Sequence, residues 1–164
     1  MLAFPLEPKL LCLLLLANGA PLMLGAVLRH RLAWSVDGGY RLASDGQPLF
    51  GPSKTWRGVL LSVALTGWAA WMMGLPLALG HLIAAAAMLG DLFSSWLKRR
   101  AGLTAGSMAP GLDQVPESLL PLVAASCFVP LSAGTVIALV VVFSGLDFLI
   151  SRLLYVLRLR EHPW

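Results

Sequence analysis

Four polar side chains, Asp91, Ser95, Lys98 and Arg99, recur at i, i+4, i+7 and i+8 in an otherwise apolar segment. On a helix that spacing puts them on one face. Asp91 ends an uncharged run that begins near Leu75, so it belongs inside a bilayer or at its edge. A carboxylate there costs about 2.5–3.5 kcal/mol even on the lenient insertion scale, which points to chemistry rather than packing. The offset from Asp91 to Lys98 spans roughly 10 Å along a helix axis. That suits a carboxylate and a cation gripping opposite ends of one polyphosphate. Asp113 supplies a second carboxylate after a loop bearing Gly and Pro. Two blander readings stay open: Lys98, Arg99 and Arg100 as the basic stop after a membrane span, and Asp91 as a helix-end carboxylate snorkelling to water.

The elements that must position these residues are those of a membrane protein. Of 164 residues, 58% are hydrophobic and 12% charged, and the mean hydropathy is +0.80; this balance excludes an ordinary soluble domain. The pattern predicts an all-α integral membrane fold, one domain over 1–164 with five transmembrane helices at about 9–28, 58–74, 77–97, 117–131 and 133–157. Loops 29–57 and 98–116 fall on one side. Arg29, Arg31, Arg41, Lys54, Arg57, Lys98, Arg99, Arg100, Arg152, Arg158 and Arg160 lie on that side, and only Lys9 on the other. The positive-inside rule then predicts an outside N-terminus, a cytoplasmic C-terminus and candidate residues facing the cytoplasm across the cell membrane. The net charge of +4 follows this topology and does not argue for nucleic-acid binding. A cleaved signal peptide is the rival for the first span, but its basic residues follow the apolar run instead of preceding it.

Several local features bear on the site. Asn18-Gly19-Ala20-Pro21 interrupts the first span, predicting either a proline kink or broken backbone with Asn18 lining a cavity. Lys54 and Arg57, at i and i+3, open the second span where a helix N-terminus favours anions. They read either as interfacial anchors beside Trp56 or as ligands for a lipid phosphate or a triphosphate. The run from Gly51 to Thr55 lacks the first glycine and the preceding strand of a Walker loop. The alanine run from Ala84 to Ala87 predicts close approach of a neighbouring helix. Trp68, Trp71, Met72 and Met73 read as packing or lipid-facing residues, His81 as interfacial on the outer side, and Cys12 and Cys127 as small buried hydrophobes. Asp147 is expected to pair with Arg152 or with a cation on another helix.

Taken together, these residues resemble the signature of the CDP-archaeol synthase family, relatives of the phosphatidate cytidylyltransferases. The resemblance is carried by Gly90, Asp91, Leu92, Ser95, Lys98 and Arg99, then by Pro110, Asp113 and Gln114. It extends upstream to Ala17-Asn18 with Pro21, and to Lys54-Thr55-Trp56-Arg57-Gly58. It implies a membrane enzyme that moves CMP from CTP onto a lipid phosphate, releasing pyrophosphate, with Mg²⁺ as cofactor. Asp91, Ser95, Lys98, Arg99 and Asp113 would be the catalytic set, Asp91 and Asp113 the metal ligands. Asn18, Lys54, Arg57, Gln114 and Glu117 would bind substrate. A homo-oligomer is compatible with this reading.

Two positions depart from the wider family pattern. Pro116 stands where a second Asp usually follows, with Glu117 one residue later, and Thr104 and Ala105 stand where the phosphatidate branch carries Lys-Asp. The second departure favours the archaeol-type branch. Two other classes stay in view: a non-catalytic nucleotide- or lipid-binding descendant, motivated by Pro116, and a small transporter subunit, motivated by Asp91, Asp147 and the interrupted first span. The transporter reading lacks an inverted repeat.

Overall fold

The computed structural model describes residues 5–28, 31–105, 107 and 109–156. These form five helices: α1 (Leu6–Leu28), α2 (Trp56–Met72), α3 (Leu77–Arg100), α4 (Gln114–Ser126) and α5 (Ala133–Val156). Among the described residues, β structure is limited to isolated bridges in the α1–α2 loop. α1, α3 and α5 are long and apolar enough to cross a membrane. α2, with 17 residues, and α4, with 13, are shorter, about 26 and 20 Å at 1.5 Å per residue. Relative to the predicted fourth span, α4 starts earlier and ends sooner, before Pro130. Arg29, Arg158 and Arg160, which enter the charge argument, lie outside the described residues, as does the end of the fifth predicted span.

α3 is the hub, packing against α1, α2 and α4, while α5 lies against α4 and α1. The main core joins Leu10, Leu13 and Leu14 of α1 to Ile83, Leu122 and Phe143 of the other helices. A second cluster gathers Ala17, Ala84, Ala87 and Met88, the close approach that the alanine run predicts. Glycine sets two crossings. A Cβ on Gly80 would lie 2.6 Å from the Thr66 carbonyl oxygen, and one on Gly90 would lie 2.3 Å from that of Pro116. Small residues let backbones meet where lipid offers no hydrophobic drive to associate. The His81 ring fills the space beside Gly67, so it packs between α2 and α3.

The first span is not broken. Helix α1 runs through Pro21, whose ring nitrogen cannot donate to the carbonyl four residues back. That carbonyl belongs to Ala17, and the buried Ser62 hydroxyl of α2 donates to it at 2.7 Å. A neighbouring side chain thus supplies the bond that proline withholds. Cys12 and Cys127 are exposed, not buried: a lipid-facing surface is as apolar as a core, so their apolar surroundings did not distinguish the two. Trp68, Trp71 and Met72 are exposed on the bundle's outer face, in line with the lipid-facing alternative.

The C-terminal ends of α1, α3 and α5 and the starts of α2 and α4 share one end of the bundle. At the opposite end the Lys9 ammonium donates to the Met73 carbonyl at 2.7 Å, a cation meeting the negative end of α2.

Candidate active site

A cavity of about 370 Å³ opens at the shared end, within the size range of small-molecule sites. All ten residues singled out from the sequence line it: Asn18 from α1, Lys54 and Arg57 around the start of α2, Asp91, Ser95, Lys98 and Arg99 from α3, and Asp113, Gln114 and Glu117 at the start of α4. Asn18 is held by its own helix, its amide donating to the Leu14 carbonyl at 3.0 Å.

Within the cavity the charges are paired across chain segments. The Lys54 ammonium meets the Asp91 carboxylate, joining the α1–α2 loop to α3. Glu117 lies within hydrogen-bonding reach of Asp91 from the α4 side. Lys98 and Asp113 form a second ion pair at 2.7 Å, and Lys98 also donates to the Ser107 carbonyl at 2.9 Å. Burial pushes the Lys54 ammonium towards its neutral form, but the neighbouring Asp91 carboxylate outweighs this and holds its pKa above the usual lysine value. Lys54 is therefore a fixed cation.

Arg99 is almost fully buried. One of its terminal nitrogens donates to the Thr104 carbonyl at 2.6 Å, while its buried Nε has no hydrogen-bond partner among the described residues. A buried donor without an acceptor costs free energy unless a ligand completes it, and a phosphate oxygen is the acceptor that a guanidinium fork suits best. Thr104 and Ala105 adjoin this arrangement. Thr104 accepts from Arg99, and Ala105 lies where a Cβ on Gly51 would approach it at 3.5 Å.

The loop before α2 is built by hydrogen bonds that the sequence reading did not assign. Arg41 and Pro48, and Ser35 and Thr55, form antiparallel bridges. Arg100 ties the loop to α3 through Asp45 at 3.3 Å and the Pro48 carbonyl at 2.8 Å. The Arg57 guanidinium donates to the Arg31 carbonyl.

Two cavity residues on α5, Asp147 and Ser151, were missed as site residues. Asp147 accepts a hydrogen bond from the Gln114 amide at 3.1 Å, while the Arg152 guanidinium lies over the Phe148 ring, 5.2 Å from its centroid. The available signal was Asp147 itself, an acid in an apolar span. Arg152, nearby in sequence, or a cation on another helix offered this acid a structural partner.

Pro116 is not on the cavity wall, but Glu117 is. Glu117 follows one position along α4, while the Pro116 carbonyl packs against Gly90. Among the described residues, no three His, Cys, Asp or Glu side chains are gathered closely enough to hold a metal ion alone. The donor chemistry nonetheless fits Mg²⁺, which takes one or two carboxylates and fills its other positions with water and substrate phosphate. The ammonium seated against Asp91 shows that this carboxylate already holds a positive charge.

A helical membrane bundle with paired acids and cations sunk at one end is the framework of an intramembrane enzyme. A solved structure described as an intramembrane enzyme for archaeal membrane lipids biosynthesis has this fold, with a TM-score of 0.71 and 26% identity over 84% of this chain and 90% of that one. The CarS-like, CDP-archaeol synthase family model matches residues 12–164, and the chain belongs to that family of nucleotidyltransferases. It is similar to the CDP-archaeol synthase of Hyperthermus butylicus, at 36% identity over 92% of this chain and 90% of the relative. It is also similar to that of Pyrobaculum arsenaticum, at 33% over 90% of this chain and 91% of the relative, and to that of Thermococcus onnurineus, at 33% over 90% and 89%.

Proposed function

We propose that this membrane protein transfers CMP from CTP to a lipid phosphate, giving a CDP-lipid and pyrophosphate, as a CDP-archaeol synthase. The observation that carries this reading is the convergence of all ten sequence-derived residues on one cavity. In the reaction, an oxygen of the lipid phosphate bonds to the α-phosphorus of CTP while the bond to the bridging oxygen of pyrophosphate breaks. Both reactants are anions, so the barrier lies in their repulsion and in charge building on the leaving group, and fixed cations lower it.

Lys98 and Arg99 neutralise the triphosphate, Lys98 as a point charge and Arg99 through its guanidinium fork. Ser95, one turn past Asp91, donates to a phosphate oxygen. Lys54 and Arg57 hold the second anion where α2 begins. Gln114 orients substrate from the α4 side, and Asn18 closes the cavity against α1. Asp91 and Asp113 would hold Mg²⁺, with Glu117 supporting Asp91; the ion would supply charge neutralisation on the phosphates. Leu22 of α1 lines the cavity and is 47% exposed on the bundle surface, an apolar margin along which lipid chains can stay in the bilayer. The charge distribution supports an outside N-terminus and a cytoplasmic site in the cell membrane.

Radiolabelled CTP, purified protein in lipid nanodiscs and a panel of archaeol-type and diacylglycerol phosphates test this directly. Mass spectrometry should find a CDP-lipid and stoichiometric pyrophosphate. CTP binding without any lipid-linked product would replace the enzyme with a binding protein.

A further inference from the structure

We propose that Asp37, which does not line the cavity, is a positioning residue: its carboxylate pins Phe50 and Gly51 and so fixes where the Lys54 ammonium stands against Asp91. The catalytic consequence rests on the reading above; the geometry does not.

Both carboxylate oxygens of Asp37 are engaged. One accepts from the Ser35 hydroxyl and from the Gly39 amide at 3.0 Å. The other accepts from the Phe50 and Gly51 amides, each at 2.9 Å. Burial alone would raise the Asp37 pKa, but these hydrogen bonds outweigh it and hold the value at about 2. The anchor is thus ionised at any working pH.

From this anchor the connection to Lys54 is short. The Lys54 amide donates to the Gly51 carbonyl at 3.3 Å, and the Lys54 carbonyl accepts from the Val36 amide at 2.8 Å. Both main-chain groups of Lys54 are therefore bonded to a residue pinned by Asp37 or adjacent to it. Gly51 has φ +95°, and a Cβ there would lie 3.6 Å from the Arg99 guanidinium, so the same pin seats the loop against the second cavity cation. Phe50, whose amide Asp37 holds, is itself part of the cavity wall. Asp37 touches none of the charged site residues directly, yet the path from its carboxylate to two of them is made of hydrogen bonds and close packing.

The test uses the full chain in nanodiscs, with Asp37→Ala, the isosteric Asp37→Asn and the milder Ser35→Ala. Lys54 acylation by a soluble amine reagent, without nucleotide, is followed by peptide mass spectrometry with Lys9 as internal reference. Losing charge-assisted hydrogen bonds should speed Lys54 acylation about tenfold in Asp37→Ala, with smaller increases in the other two variants. In CMP transfer, the KM for CTP or for the lipid phosphate should rise about tenfold while kcat stays within about twofold. Asp37→Glu should recover part of the KM change. If Asp37→Ala does not fold, Asp37→Asn and Ser35→Ala decide. Unchanged Lys54 acylation, or a fall in kcat with both KM values intact, would overturn the assignment. Faster acylation in a protein that makes no CDP-lipid would keep the positioning role and reject the enzyme reading.

Discussion

Lys54 and Asp91 lie 37 residues apart in the chain and meet as an ion pair in the cavity wall. The pair joins a loop that precedes one helix to the second half of another. It also puts an ammonium on one side of Asp91 while Glu117 approaches from α4. Two groups from two other segments therefore converge on one carboxylate, and the Lys54 ammonium offsets the cost of burying it.

Asp91→Asn should lower CMP transfer to below about one-hundredth of the wild-type rate, because it removes the carboxylate on which the cavity's charges centre while keeping its shape. Membrane insertion and helix content should be unchanged, as read by resistance to alkaline carbonate extraction and by circular dichroism. Full activity of purified Asp91→Asn would remove the metal assignment.

Glu117→Ala should weaken Mn²⁺ binding, followed by electron paramagnetic resonance in the presence of CTP, by about tenfold. Restoring the usual family acid by adding Pro116→Asp should not recover it. Successive helical residues point about 100° apart, and at position 116 the backbone already packs against Gly90. Recovery in the double variant would mean that the cavity accepts an acid from either position.

Much of the site was legible because its chemistry is expensive in lipid. Asp91, Lys98 and Arg99 had to face a polar cavity, and helical spacing alone put them on one face. Lys54 and Asp113 could be named as site residues, but which lysine meets which acid depends on how the loop before α2 folds. That loop is organised by Asp37 and by turns whose hydrogen bonds leave no periodic trace. Asp147 was expected to pair with Arg152 or with a cation on another helix, and only the packing of α4 on α5 brings Gln114 to it. The proline in α1 suggested a kink or a break because its remedy, Ser62, lies on another helix.

Ser62→Ala should destabilise the bundle by about 1–3 kcal/mol, since it leaves the buried Ala17 carbonyl without a donor. In a Pro21→Ala background the same change should be nearly neutral, because residue 21 regains an amide that reaches that carbonyl. Thermal unfolding in nanodiscs of the four proteins of this cycle measures the coupling. Additive losses would show that Ser62 and Pro21 act independently.

The Lys54–Asp91 pair also has a definite pH response. Burial opposes the charged lysine, but the Asp91 carboxylate more than compensates, so the folded pKa lies above the ordinary value of 10.5. A group raised on folding contributes stability that is complete below its unfolded pKa and is lost as pH rises through the folded one. The pair should therefore be intact throughout the neutral range and open only beyond pH 10.5. Reductive ¹³C-methylation followed by NMR should show the Lys54 resonance titrating above the ordinary lysine value of 10.5. In Asp91→Asn the burial penalty remains while the opposing charge is gone, so the Lys54 midpoint should fall below its wild-type position. A midpoint that does not move would mean that Asp91 does not set the charge of Lys54.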